Sequence, residues 1–106
     1  MPKPQAVNQD NFQTAVLEAE GPVLVDFWSP TCPHCRALAP HFEEAAEKIP
    51  GVKFVKVSTE EALPLFDQHQ VFAVPVLILF KNGKELVREG GSKTCEQIEA
   101  WLKEQL

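Results

Sequence analysis

Val23-Leu24-Val25-Asp26-Phe27-Trp28 is an almost unbroken apolar run of strand length. A strand with one wet face alternates apolar and polar side chains, so this run reads as a central strand covered on both faces. The other elements have to be arranged around it. Residues 52–57 and 74–80 carry two further strand signals, the second with Pro75 near its start, one of the few places a sheet accepts proline. Asn82-Gly83 is a strong hairpin signal, and residues 84–88 return from it as an antiparallel strand that Gly90-Gly91 breaks.

Helical spacing fills the gaps between the strands. Phe12, Ala15 and Val16 mark a short first helix with Asn11 as its N-cap, stopped by Glu20-Gly21-Pro22. Leu38, Phe42, Ala45 and Ile49 form one stripe of a long helix that ends at Pro50-Gly51. Pro33 suits its first turn, and Pro40 is expected to kink it. Ser58 or Thr59 starts an irregular helix over 60–70, interrupted at Pro64 and carrying Leu63, Leu65 and Phe66. Thr94-x-x-Gln97 is a capping box, and Ile98, Trp101 and Leu102 give the last helix its buried side. Before Asn11 only a short strand is expected. The order predicts an α/β fold, a three-layer α/β/α sandwich with a central mixed sheet, built as one domain over residues 1–106.

With 44% hydrophobic and 24% charged residues, the 106-residue chain can bury a core without crosslinks. A formal net charge of −5, with no run of Lys or Arg, argues against nucleic-acid and anionic-membrane partners. No apolar segment approaches the roughly 18 to 20 residues that span a bilayer. Met1-Pro2-Lys3-Pro4-Gln5 leads into polar residues, and the expected location is cytoplasmic. A monomer is expected.

Where the Val23–Trp28 strand ends, the chain reads Ser29-Pro30-Thr31-Cys32-Pro33-His34-Cys35. Two cysteines separated by two residues at the mouth of a helix can close a small disulfide ring and reopen it with little backbone motion. Such a pair exchanges electrons with other thiols. The attacking species is a thiolate, and Cys32 is its candidate, because unpaired N–H groups and the positive end of a helix dipole favour an anion there. A protonated His34 would add a positive charge nearby, and a neutral one could donate a hydrogen bond. Cys35, shielded in the first turn, is the expected resolving thiol. Asp26 is the misfit of its strand: a carboxylate among Val, Leu and Phe is expected to hold its proton more tightly than usual. Lys56, on the neighbouring strand, moderates its charge. Cys95 shares a helix face with Ile98 and Leu102 and reads as a small hydrophobe, while His41 and His69 read as surface or boundary residues.

Val25-Asp26-Phe27-Trp28, Cys32-x-x-Cys35, Pro40, Lys56, Val74-Pro75, Phe80-Lys81-Asn82-Gly83 and Gly91, in this order and spacing, resemble the thioredoxin family from about Asn8 to Leu106. The resemblance implies a thioredoxin fold, thiol–disulfide exchange with protein substrates, and no cofactor beyond the Cys32-Cys35 pair. It implies a cis Pro75 facing that pair and a proton-accepting role for Asp26 toward Cys35. It also implies a shallow substrate groove bordered by Trp28, Ser29, Pro30, Val74, Pro75 and Gly91. A thioredoxin-reductase-like or other dithiol protein would be the recycling partner. One departure stands out: thioredoxins usually carry Trp-Cys-Gly-Pro-Cys, whereas Thr31-Cys32-Pro33-His34-Cys35 carries the Pro-His dipeptide of the DsbA-type oxidases. The couple is therefore expected to be less reducing than a typical thioredoxin.

Two other readings compete. Cys32, Cys35 and a histidine could bind zinc, but His41 and Cys95 lack zinc-finger spacing from the first pair. A non-catalytic thioredoxin-fold binding module has little reason to keep both cysteines together with Asp26.

Overall fold

The protein is described from a computed structural model, in which residues 3–106 are placed. The first two residues of the expected 1–106 domain lie outside the described residues. Its centre is a five-stranded sheet in the order β1-β3-β2-β4-β5, formed by β1 (Gln5–Ala6), β2 (Val23–Trp28), β3 (Lys53–Ser58), β4 (Val76–Lys81) and β5 (Lys84–Gly90). β1, β3 and β2 run parallel, and β4 and β5 are antiparallel to their neighbours. The apolar run thus occupies the middle position, where both faces are covered, and all its residues from Val23 to Phe27 are buried.

Strand periodicity sorts the core into two layers. Val23, Val25 and Phe27 point to the face that carries α2 (Thr59–Gln68) and a short π-type helix (Gln13–Leu17), where they pack with Val55, Val57, Ile78 and Phe66. Leu24 points to the other face, covered by α1 (Pro33–Lys48) and α3 (Cys95–Gln105), and packs with Leu38, Phe42, Phe54 and Ile98. By the same alternation Asp26 and Trp28 lie on the α1 side. Register sets Asp26 opposite Lys56 on β3 and Leu77 on β4.

Local chemistry explains most boundaries. The hairpin tip has positive φ at both Asn82 (54°) and Gly83 (78°), the pair of conformations a two-residue turn of the I′ class requires. Thr94 and Gln97 form the reciprocal capping box at the start of α3. The Ser58 hydroxyl accepts the Glu61 N–H and fixes the start of α2.

Three expectations need correction. The first helix is a π-type turn, and Asn11 is not its N-cap: the Asn8 carbonyl accepts the Phe12 N–H, while Asn11 Oδ1 accepts the Asn8 N–H. Leu63 is 61% exposed, because α2 breaks at Ala62 (φ −146°, ψ 38°), beside Pro64, and the kink turns its side chain out of the buried stripe. The third strand begins at Val76, after Val74-Pro75. α1 runs from Pro33 to Lys48 and contains Pro40, with its apolar stripe buried on both sides of that residue.

Candidate functional site

The site lies where β2 delivers the chain to the start of α1. Cys32 is the N-cap of α1, with extended backbone (φ −94°, ψ 117°), and Pro33 follows at the first helical position, where no N–H is needed. Its Sγ accepts the Cys35 N–H at 3.2 Å, so one of the unpaired donors of the helix end is directed at sulfur. The same sulfur lies 3.7 Å from the Val74 carbonyl oxygen, to which a thiol at Cys32 donates. Cys32 is half-buried and Cys35 is buried, so the two thiols differ in access to a large partner.

Cys35 is held in its protonated form. Burial, the hydrogen bond with Cys32 and the negative fields of Cys32 and Asp26 push its pKa up to about 12. Asp26 lies on the same face of the sheet, 1% exposed, with an Oδ1 that has no hydrogen-bond partner among the described residues. Desolvation raises its pKa from 3.8 to about 7, and the positive field of Lys56 opposes the rise. The expected misfit carboxylate is therefore a group that titrates near neutrality, a condition suited to proton transfer. Lys56 acts on it from a distance. Its ammonium is parked 4.7 Å from the centre of the Trp28 ring, a cation–π contact, and forms no ion pair with Asp26.

The other expected residues divide. Val74 is half-buried beside Cys32, the Val74-Pro75 bond is cis, and Pro75 is buried with its carbonyl accepting the Gly91 N–H at 3.0 Å. Val74, Pro75 and Gly91 are thus brought together next to the cysteines. Trp28 is engaged by Lys56, and Pro30 is tied to α1 through Arg36, whose Nε and Nη2 both donate to the Pro30 carbonyl at 3.2 Å. His34 is exposed in the first turn, and the hydrogen bond that reaches the Cys32 sulfur comes from the Cys35 backbone. Cys95 is buried between α1 and α3, where burial raises its thiol pKa, and its N–H donates to His41 Nδ1 at 3.4 Å. Among the described residues no three His, Cys, Asp or Glu side chains cluster to hold a metal ion.

Sequence reasoning passed over two neighbours of the site. Arg36 could have been suspected from its place one turn after Cys32, where a long cation can fold back over the preceding loop. Phe72 stands 82% exposed just before Val74-Pro75, and its signal was an aromatic residue in a segment with no helix or strand period.

The sequence model of the thioredoxin family matches residues 3–104. Thioredoxin C-3 of Corynebacterium nephridii is 33% identical over 104 residues, covering 98% of this chain and 72% of that protein. Thioredoxin 1 of Nostoc sp. is 40% identical over 81 residues, 76% of each chain. The thioredoxin of Chlamydia trachomatis serovar D is 39% identical over 94 residues, 89% of this chain and 90% of its own. With the fold, the paired cysteines and these matches in agreement, the chain belongs to the thioredoxin family of thiol–disulfide oxidoreductases.

Proposed function

We propose that the protein is an atypical thioredoxin that exchanges dithiol and disulfide with protein substrates through Cys32 and Cys35, with a couple less reducing than that of a typical thioredoxin. The Cys32 thiolate attacks one sulfur of a substrate disulfide, forming a mixed disulfide and releasing the other substrate sulfur as a thiolate. Cys35 gives its proton to the Asp26 carboxylate and attacks the Cys32 sulfur. The second substrate thiolate leaves, two electrons have moved to the substrate, and Cys32 and Cys35 are joined. A thioredoxin-reductase-like or other dithiol protein returns the electrons.

The observation that carries this reading is the asymmetry of the pair: Cys32 Sγ accepts a helix N-terminal N–H at 3.2 Å and is reachable, while Cys35 is buried with a pKa near 12. This asymmetry supports giving the first attack to Cys32 and the resolving step to Cys35. Reduction of insulin by the reduced protein, and capture of disulfide-linked proteins by Cys35→Ser in cells, test it. A protein that reduces no disulfide and traps none leaves only the non-catalytic binding module.

The less reducing character rests on the Pro33-His34 dipeptide. A positive imidazolium near an anionic sulfur stabilises the dithiol form relative to the disulfide, which makes the disulfide the better oxidant. The potential should fall between about −270 mV, the reference for thioredoxin, and about −120 mV, the reference for DsbA. A glutathione titration returning a value at the thioredoxin end contradicts it. We place the protein in the cytoplasm as a monomer, and sedimentation equilibrium giving a dimer contradicts the second part.

A further inference from the structure

Phe72 is the most exposed of the large apolar side chains among the described residues, at 82%, in a chain that buries its other six phenylalanines at 5% or less. Scattered surface hydrophobes are common and need no explanation by themselves. Two independent observations set this one apart.

Its backbone is fixed on both sides. The carbonyls of His69 and Gln70 accept Arg88 Nη2 and Nη1 at 2.8 and 3.2 Å, which ties the segment to β5. Val71 is buried, and its N–H donates to the Phe66 carbonyl at 2.8 Å. Beyond Phe72, Val74 is held beside the Cys32 sulfur and the Pro75 carbonyl accepts the Gly91 N–H. An aromatic ring on a braced segment loses little conformational freedom when a partner covers it.

Its position is also continuous with the reacting atoms. The Val74 carbonyl oxygen is 3.7 Å from Cys32 Sγ. Consecutive Cα atoms are about 3.8 Å apart, so the Phe72 and Val74 Cα atoms are separated by at most about 7.6 Å. An extended polypeptide advances roughly 3.3 Å per residue and crosses that gap in two to three residues. A substrate whose cysteine is joined to Cys32 and whose chain runs along this segment therefore brings its second or third residue within reach of Phe72. Thr31, next to Cys32, is exposed and, among the described residues, hydrogen-bonded only to Ser29, and it offers a smaller and more polar surface than an aromatic residue would.

We propose that Phe72 is a specificity-determining residue for disulfide exchange: it selects polypeptide disulfides that carry a large apolar side chain two or three residues from the attacked cysteine. This rests on the thiol–disulfide exchange proposed above and names the substrate class of that site. The ring adds affinity for the substrate chain and takes no part in the sulfur chemistry.

The test compares the full-length protein with Phe72→Ser and Phe72→Leu on three substrates. Two are peptides joined to glutathione by a disulfide, with Leu or with Ser at the second and third positions from the cysteine. The third is hydroxyethyl disulfide, too small to reach residue 72. The unsubstituted protein should reduce the Leu peptide faster than the Ser peptide. Phe72→Ser should lower kcat/KM for the Leu peptide by roughly tenfold, the weight of one buried aromatic anchor, and bring the two peptides close to parity. Phe72→Leu should keep most of the preference, and hydroxyethyl disulfide should react equally with all three proteins. An equal loss on hydroxyethyl disulfide, or a Leu-over-Ser preference that Phe72→Ser leaves intact, overturns the role of Phe72 alone. Failure of the unsubstituted protein to reduce any of the three overturns the exchange reading and this one with it.

Discussion

Asp26 is the side chain at which chemistry and stability oppose each other. In the folded protein it keeps its proton up to about pH 7, whereas the unfolded chain releases it near 3.8. Between those values folding takes up a proton, so stability falls as pH rises from about 4 to about 7 and stays at its lower level above that. At about 1.4 kcal/mol per pH unit, the buried carboxylate costs on the order of 4 kcal/mol above neutrality. Asp26→Asn should therefore raise the denaturation midpoint at pH 8 and change it little at pH 4, as read from urea unfolding at both. The same substitution should slow resolution of the Cys32 mixed disulfide and remove its inflection near pH 7, because Cys35 then lacks its acceptor. The cysteines differ in a second measurable way. Timed alkylation with mapping by mass spectrometry should label half-buried Cys32 well before Cys35 or Cys95, whose thiols burial holds in the less reactive form. The chemistry of these residues was legible in the chain: a carboxylate inside an apolar strand and a Cys-x-x-Cys pair at a helix start are each visible without coordinates. That Lys56 would sit over Trp28 was not, since two cross-strand neighbours had competing claims on one ammonium.

Secondary elements kept their predicted places where a local rule had a single solution. β2 matches its apolar run residue for residue, the capping box opens α3, and Asn-Gly turns the hairpin. Gly83 shows how tightly that turn is specified. Its φ is +78°, and a Cβ would meet the Leu17 carbonyl oxygen at 3.0 Å, against the short π-type helix. Gly83→Ala should cost about 1–3 kcal/mol by combining left-handed strain with that contact, measurable by chemical denaturation. The elements that departed from expectation are those whose local preferences were divided. Asn11, the expected cap of the first helix, instead accepts the Asn8 N–H through its side chain, and the N-cap place falls to Phe12 with no side-chain cap bond. α2 carries Pro64 and bends at Ala62, which exposes Leu63 while Leu65 and Phe66 stay buried. His69, read as a surface or boundary residue, takes the boundary place: it is half-buried against the rings of Phe12, Phe27 and Phe80, and desolvation lowers its pKa.

The molecule as a whole is two apolar layers separated by one sheet, and the site sits at the end of β2, where α1 begins. Phe42 is central to the α1 side, fully buried and edge-on to Phe54 with ring centres 5.2 Å apart. Phe42→Ala should cost about 3–5 kcal/mol through lost burial and the cavity left behind. Phe72→Ala, on the surface, should change stability by no more than about 0.5 kcal/mol. A thermal melt of the two variants reads the contrast directly. By itself the sequence determined the layered fold, the central strand, the redox pair and the odd carboxylate, because each depends on neighbours along the chain or on a period of two or 3.6 residues. Only the tertiary structure decided that Val74 faces the Cys32 sulfur, that Asp26 lies on the face beneath α1, and that Phe72 stands braced beside the site. Val74 and Cys32 are 42 positions apart in the chain, and register and packing, which no local pattern encodes, bring such residues within reach.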